Sequence, residues 1–145
     1  MITYQITGRT RNQAKLEYFI ERVISHLLPY PYKRKIEIDI AIVPHISECN
    51  NNYAECDGDR NCANIVLSRR DEENELFSEK LMALNVAHEL VHAKQFIKGQ
   101  LKQRILDGKH VDFWMARKCI TQSTSRQPWE KEAYRMEEEL LELFW

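Results

Sequence analysis

His88-Glu89-Leu90-Val91-His92 lies within a run from Leu76 to Lys98 that reads as one long helix ended by Gly99. The helical reading matters, because it puts two histidines four residues apart on one face, a single turn from each other. Both imidazoles can then reach one ion. Glu89 sits about 100° round such a helix, off the ion yet within reach of a water bound to it. Leu81, Leu84, Leu90 and Val91 supply apolar surface around the histidines, so the motif is expected on a partly buried helix. Zinc suits this donor set; it lowers the pKa of a bound water toward about 7 and polarises a carbonyl. Glu89 is then the candidate general base, taking the water's proton and passing it to a leaving amine. The plainer alternative is a helix whose two histidines bind nothing.

Upstream, Thr10 to Leu28 has apolar residues at helical spacing, and Pro29 and Pro31 end it. Lys35 to Val43 alternates strictly, with Ile36, Ile38, Ile40 and Ile42 on one side, and is the clearest strand in the chain. His45 to Asn61 is polar and reads as a loop holding the turn Asp57-Gly58-Asp59. Ala63 to Ser68 is a short second strand. Downstream, a helix is expected to include Val111 to Cys119, and a last one runs from Trp129 to the C-terminus. This order is α+β. The 145 residues suit one domain spanning 1–145, with no repeat or linker to divide it.

A zinc site for hydrolysis needs a third protein ligand and one open position. In Pro128-Trp129-Glu130-Lys131-Glu132-Ala133-Tyr134, Pro128 is placed to start a helix whose buried face is marked by Trp129, Ala133, Met136, Leu140 and Leu143. Glu130 lies about 60° from the centre of that face and Glu132 about 100° away on the other side. A ligand points inward beside the core, so Glu130 is favoured over Glu132; both as solvated charges is the plainer alternative. His110, after the turn Asp107-Gly108-Lys109, is a second candidate, either as ligand or as a hydrogen-bond donor to an oxyanion, with a surface histidine of no role as the plainer alternative. Tyr134 is another candidate for the oxyanion, and His26 and His45 read as structural.

Hydrophobic residues make up 43% and charged residues 30% of the chain, and the formal net charge is -1. That balance gives no global electrostatic case for nucleic acid or for an anionic membrane. No stretch approaches the roughly 20 apolar residues that span a bilayer. Met1 to Ile6 alternates polar and apolar residues and lacks the layout of a secretion signal, so a cytoplasmic protein is expected. Cys49, Cys56, Cys62 and Cys119 form no Cys-x-x-Cys pair. They read as reduced thiols in preference to a structural zinc site on Cys49, Cys56 and Cys62. The apolar end Leu140 to Trp145 is expected to pack into the core, with docking into a neighbouring subunit or into the protein's own cleft as the sharper alternative.

The stretch His88 to Gln95, followed by Pro128 to Tyr134, resembles small HExxH metallopeptidases of phages and bacteria, and is similar to the gluzincins, above all the minimal members called minigluzincins. The resemblance covers by motif the C-terminal part of the chain. It implies a zincin-like domain, with a small mixed or antiparallel sheet packed on the motif helix and on a C-terminal glutamate helix. It also implies one catalytic zinc on His88, His92 and Glu130, Glu89 as base, and a peptide or protein substrate. Glu130 with Ala133 matches the Glu-x-x-Ala form of the third-ligand motif. Tyr134 stands where the other form has an acid that orients a zinc-binding histidine. The resemblance further implies a rim strand lining the cleft, a role that falls to Ala63 to Ser68, which would hold an extended peptide by main-chain hydrogen bonds. A weaker similarity is to SprT-like proteases that act on DNA-bound proteins, which implies His110 as third ligand. A zinc-binding regulatory module on the same scaffold, without turnover, is the alternative from another class.

Overall fold

The computed structural model describes residues 1–45, 53–119 and 127–145. Alternation at the N-terminus produces β1 (Ile2–Thr7), and the apolar stripe after it produces α1 (Gln13–Leu27), begun by Asn12, whose side chain accepts from the Lys15 amide. β2 (Ile36–Val43) returns parallel to β1, with Ile2 opposite Ile36 and Ile6 opposite Ile40. Its isoleucines are buried and Glu37 and Asp39 exposed, as strict alternation on a one-sided sheet requires. β4 (Cys62–Ser68) pairs parallel to the other side of β2, and β3 (Ala54–Gly58) pairs antiparallel to β4. The order β1-β2-β4-β3 makes a mixed four-stranded sheet with β3 at one edge.

β3 falls inside the segment expected to be a loop. Its sequence hides it: Glu55 and Asp57 face solvent, and only Ala54, Cys56 and Gly58 turn inward, so little apolar alternation shows. The turn signal holds. Asp59 accepts from the amides of Asn61 (2.7 Å) and Cys62 (3.0 Å), and a Cβ on Gly58 would lie 2.5 Å from the Cys62 carbonyl oxygen. Only glycine lets the chain reverse so closely there.

α2 (Glu79–Ile97) starts later than Leu76 because Ser78 caps it, accepting from Leu81 N at 3.2 Å. It ends at Gly99, whose φ of 72° is the left-handed value that closes a helix. The helix is buried on most sides, by Met82, Ala83, Val86, Leu90 and Val91 against the sheet and the other helices. α3 (Pro128–Phe144) then crosses it, with Pro128 in the first turn as expected. The apolar C-terminus packs on the core: Trp145 meets Phe19 edge-on at 5.7 Å, and Phe144 meets His26 at 5.3 Å. Leu143 stays exposed.

The expected helix over Val111 to Cys119 is replaced by strands. β5 (Leu101–Leu106), β6 (Lys109–Trp114) and β7 (Arg117–Cys119) form a second, antiparallel sheet. Asp107 and Gly108 both have positive φ (52° and 75°), the paired left-handed residues of a two-residue hairpin turn. Met115 and Ala116 (51° and 67°) do the same between β6 and β7 without a glycine. The Asp-Gly pair was the available hairpin signal, and Val111, Phe113 and Trp114 are strand formers.

Among the described residues no helix is long and apolar enough to cross a membrane. Cys56, Cys62 and Cys119 are free thiols, and Cys49 lies outside the described residues, as does most of the polar stretch before β3.

Candidate metal centre

α2 presents His88 and His92 one turn apart, and the first turn of α3 lays Glu130 across both. His88 Nε2 stands 3.1 Å from one Glu130 oxygen and His92 Nε2 2.8 Å from the other. The two Nε2 atoms are 3.2 Å apart. His88, His92 and Glu130 thus form a group whose donor atoms all lie within 4.8 Å of one another, close enough to hold a metal ion.

The outer nitrogens decide what the inner ones are. His88 Nδ1 faces a carboxylate oxygen of Glu137 at 2.7 Å, so it carries the proton and donates. His92 Nδ1 faces Gln95 Oε1 at 2.8 Å. That Gln95 atom is the oxygen, because its Nε2 donates to the Trp129 carbonyl (3.0 Å) and to Glu132 (3.1 Å), both acceptors. In their neutral forms both histidines therefore aim a bare Nε2 lone pair at the same point as the Glu130 carboxylate. With both rings neutral, three acceptors converge without a donor, an arrangement relieved either by protons on the two Nε2 atoms or by a cation between them. A tetrahedral site with bonds of 2.0–2.2 Å has edges of roughly 3.3–3.6 Å; the separations here, 2.8–3.2 Å, are shorter and reach two different Glu130 oxygens, so the group would open slightly around an ion. The residues fit a divalent ion of the kind bound by imidazole and carboxylate.

Burial pulls the His88 pKa down, but hydrogen bonds to Glu130 and Glu137 outweigh it and push it up to about 10. His92 is likewise raised, its bond to Glu130 and the Glu89 charge overcoming burial. Burial pushes Glu130 up, but the two histidines hold it down at about 2. This pocket favours positive charge. Without a metal ion, protons on the histidines supply that positive charge. Glu89 is 7% exposed, makes no hydrogen bond among the described residues, and is raised by burial against the pull of His92 and His88. It borders a cleft of about 650 Å³ shared with His88, His92, Glu130, Tyr134 and Glu55.

The other sequence candidates separate clearly. Glu132 turns from the three-residue group to Lys94 (2.6 Å) and Gln95, which hold its pKa down against burial. Tyr134 packs its ring on His88 at 4.7 Å and is half exposed on the cleft. His110 is exposed on β6 opposite Ile105 and stands outside the group. His45 contacts the Asp71 carbonyl at 3.1 Å, and His26 packs on Phe144. The cleft wall expected from Ala63 to Ser68 needs correction: β4 is flanked by β2 and β3, so the edge belongs to β3.

Two residues were missed, Glu137 and Gln95. Glu137 lies seven residues, two turns, beyond Glu130 and so shares its face. It supplies the acid that Tyr134 does not. Glu137→Gln keeps the shape but can present its amide to His88 Nδ1. It is expected to weaken metal binding by about 10–100-fold, measured by competition against a chromogenic chelator.

No protein-family model, curated protein or solved structure matches this chain.

Proposed function

We propose that this protein is a zinc-dependent peptidase that hydrolyses peptide bonds in its cleft, with zinc held by His88, His92 and Glu130. The observation that carries this reading is the convergence of two histidine lone pairs and a carboxylate beside Glu89, a buried carboxylate with no hydrogen-bond partner of its own among the described residues. Two imidazoles and one carboxylate are a donor set for zinc with a position left open. Zinc so bound supplies a Lewis acid for a carbonyl and lowers the pKa of water.

The protein's own groups do the rest. A carboxylate oxygen of Glu89 would take a proton from the water as its oxygen bonds to the carbonyl carbon, and would then give that proton to the amine nitrogen as the C–N bond breaks. Burial keeps Glu89 basic enough for both steps. Glu137 and Gln95 hold the tautomers and ring orientations of His88 and His92. β3 has one strand partner among the described residues, β4. Its other edge borders the cleft and suits an extended peptide added as a further strand. The free thiols of Cys56, Cys62 and Cys119 suit a reducing, cytoplasmic setting.

The test is incubation of the zinc-loaded protein with a degenerate peptide library, followed by mass spectrometry of new termini. Cleavage is expected that stops with a chelator and returns with zinc. A folded, zinc-loaded protein that cuts nothing in the library would instead identify a binding module.

A further inference from the structure

The second sheet concentrates positive charge that the chain as a whole lacks. Between Leu101 and Cys119 there are five Lys or Arg and two Asp, while the remaining residues hold sixteen Lys or Arg against twenty Asp or Glu. Strand register sorts these charges by face. Lys102 stands opposite Phe113, Arg104 opposite Val111, Leu106 opposite Lys109, and Phe113 opposite Lys118. Directly opposed residues share a face, as do residues two apart on one strand. One face therefore carries Lys102, Arg104, Lys109 and Lys118 around Phe113, Val111 and Leu106, with no Asp or Glu among its strand residues. The other face packs Leu101, Trp114 and Cys119 against Phe96 and Trp129, which anchors the sheet to α2 and α3. The cationic face is thereby turned to solvent. Its Lys and Arg are exposed, and none forms a salt bridge among the described residues.

A fifth cation adjoins it. At Gly99 the position of a Cβ is 3.6 Å from Arg60 Cδ and 3.8 Å from Lys102 Cε, so both cationic side chains border Gly99, and neither forms a salt bridge among the described residues. Like charges left together in this way lower the cost of bringing in an anion. The chemistry distinguishes among anions. Lysine is depleted at protein–protein interfaces, whereas Lys and Arg neutralise phosphates and release their counterions. Phe113 lies on the central strand, with Lys102 and Lys118 on neighbouring strands about 4.8 Å to either side. A base stacked on that ring would have its phosphates beside the two lysines, which is how sheets take up single strands.

We propose that the exposed face of the β5–β6–β7 sheet binds single-stranded nucleic acid, with Phe113 as the stacking platform and Lys102, Arg104, Lys109 and Lys118 contacting phosphates. The claim is independent of the peptidase reading and concerns a different surface.

The test uses the full-length, zinc-loaded protein and a fluorescent 20-mer of thymidine, read by anisotropy between 50 and 200 mM salt. Binding is expected, with a log–log salt slope of about -2 to -3, which corresponds to three or four phosphates at about 0.7 each. Lys102→Gln with Lys118→Gln should weaken binding about 10-fold or more and flatten the slope by about 1.4. Phe113→Leu, which keeps an apolar side chain and so guards against local unfolding, should weaken binding about 5-fold or more at unchanged slope. Circular dichroism and zinc content would check that both variants are folded. A uridine 20-mer bound within about 10-fold would support the same platform. Absence of binding at 50 mM salt would overturn the proposal. So would a duplex bound as tightly with no effect of Phe113→Leu, or equal affinity for polyglutamate or for phosphatidylserine vesicles.

Discussion

Glu89→Gln is expected to reduce peptide hydrolysis by about 10²–10⁴-fold while the protein keeps its zinc. Glutamine has the shape of glutamate but no carboxylate oxygen able to accept a proton, so water in the cleft loses its base. The metal is retained because Glu89 lies outside the His88, His92 and Glu130 group. Its buried position on α2 tolerates a neutral side chain of the same volume, and loss of its charge removes a site whose ionisation burial already opposes. Measuring kcat/KM on a peptide found in the library screen, together with zinc per chain, separates the two effects. Hydrolysis at the wild-type rate in a zinc-loaded Glu89→Gln protein would remove Glu89 from the mechanism.

Gln95→Leu is expected to give the largest loss of stability outside the apolar core. Gln95 is fully buried and bonded to His92 Nδ1, the Trp129 carbonyl and Glu132. Leucine fills similar space and satisfies none of them. Orphaned buried polar groups cost about 1–3 kcal/mol each, and since Lys94 still holds Glu132, a total of about 3 kcal/mol is expected for the metal-free protein. For a chain of this length that lowers the melting temperature by roughly 10 °C. His92 also loses the acceptor that fixes its tautomer, so zinc affinity should fall by about 10–100-fold. Thermal unfolding with and without zinc reads both effects. A shift of under 2 °C with unchanged zinc affinity would show that the Gln95 bonds are dispensable.

Legibility in the sequence followed the physics of each segment. The alternating isoleucines of β2 and the capped, apolar α2 report themselves because burial on one face dictates their period. Glu130 was separable from Glu132 because both lie in the first turn of a helix whose buried face Trp129, Ala133 and Leu140 define, and the side chains diverge as that face requires. β3 was hidden because an edge strand with a solvated face needs few apolar residues. The second sheet was hidden because short strands crowded with Lys and Arg resemble a helix surface, although Asp107-Gly108 signalled a hairpin. Glu137 and Gln95 depend on how α2 and α3 are rotated against each other, which no local pattern within either helix encodes. Charge segregation across β5, β6 and β7 was invisible to net composition for a similar reason, since only the register assigns each residue to a face.

The most direct measurement is zinc per chain, by elemental analysis after reconstitution and desalting, in the wild type, Glu130→Ala and His110→Ala. One zinc is expected in the wild type and in His110→Ala, and none in Glu130→Ala. No zinc in the wild type, or zinc that survives Glu130→Ala and disappears with His110→Ala, would contradict a centre built on His88, His92 and Glu130.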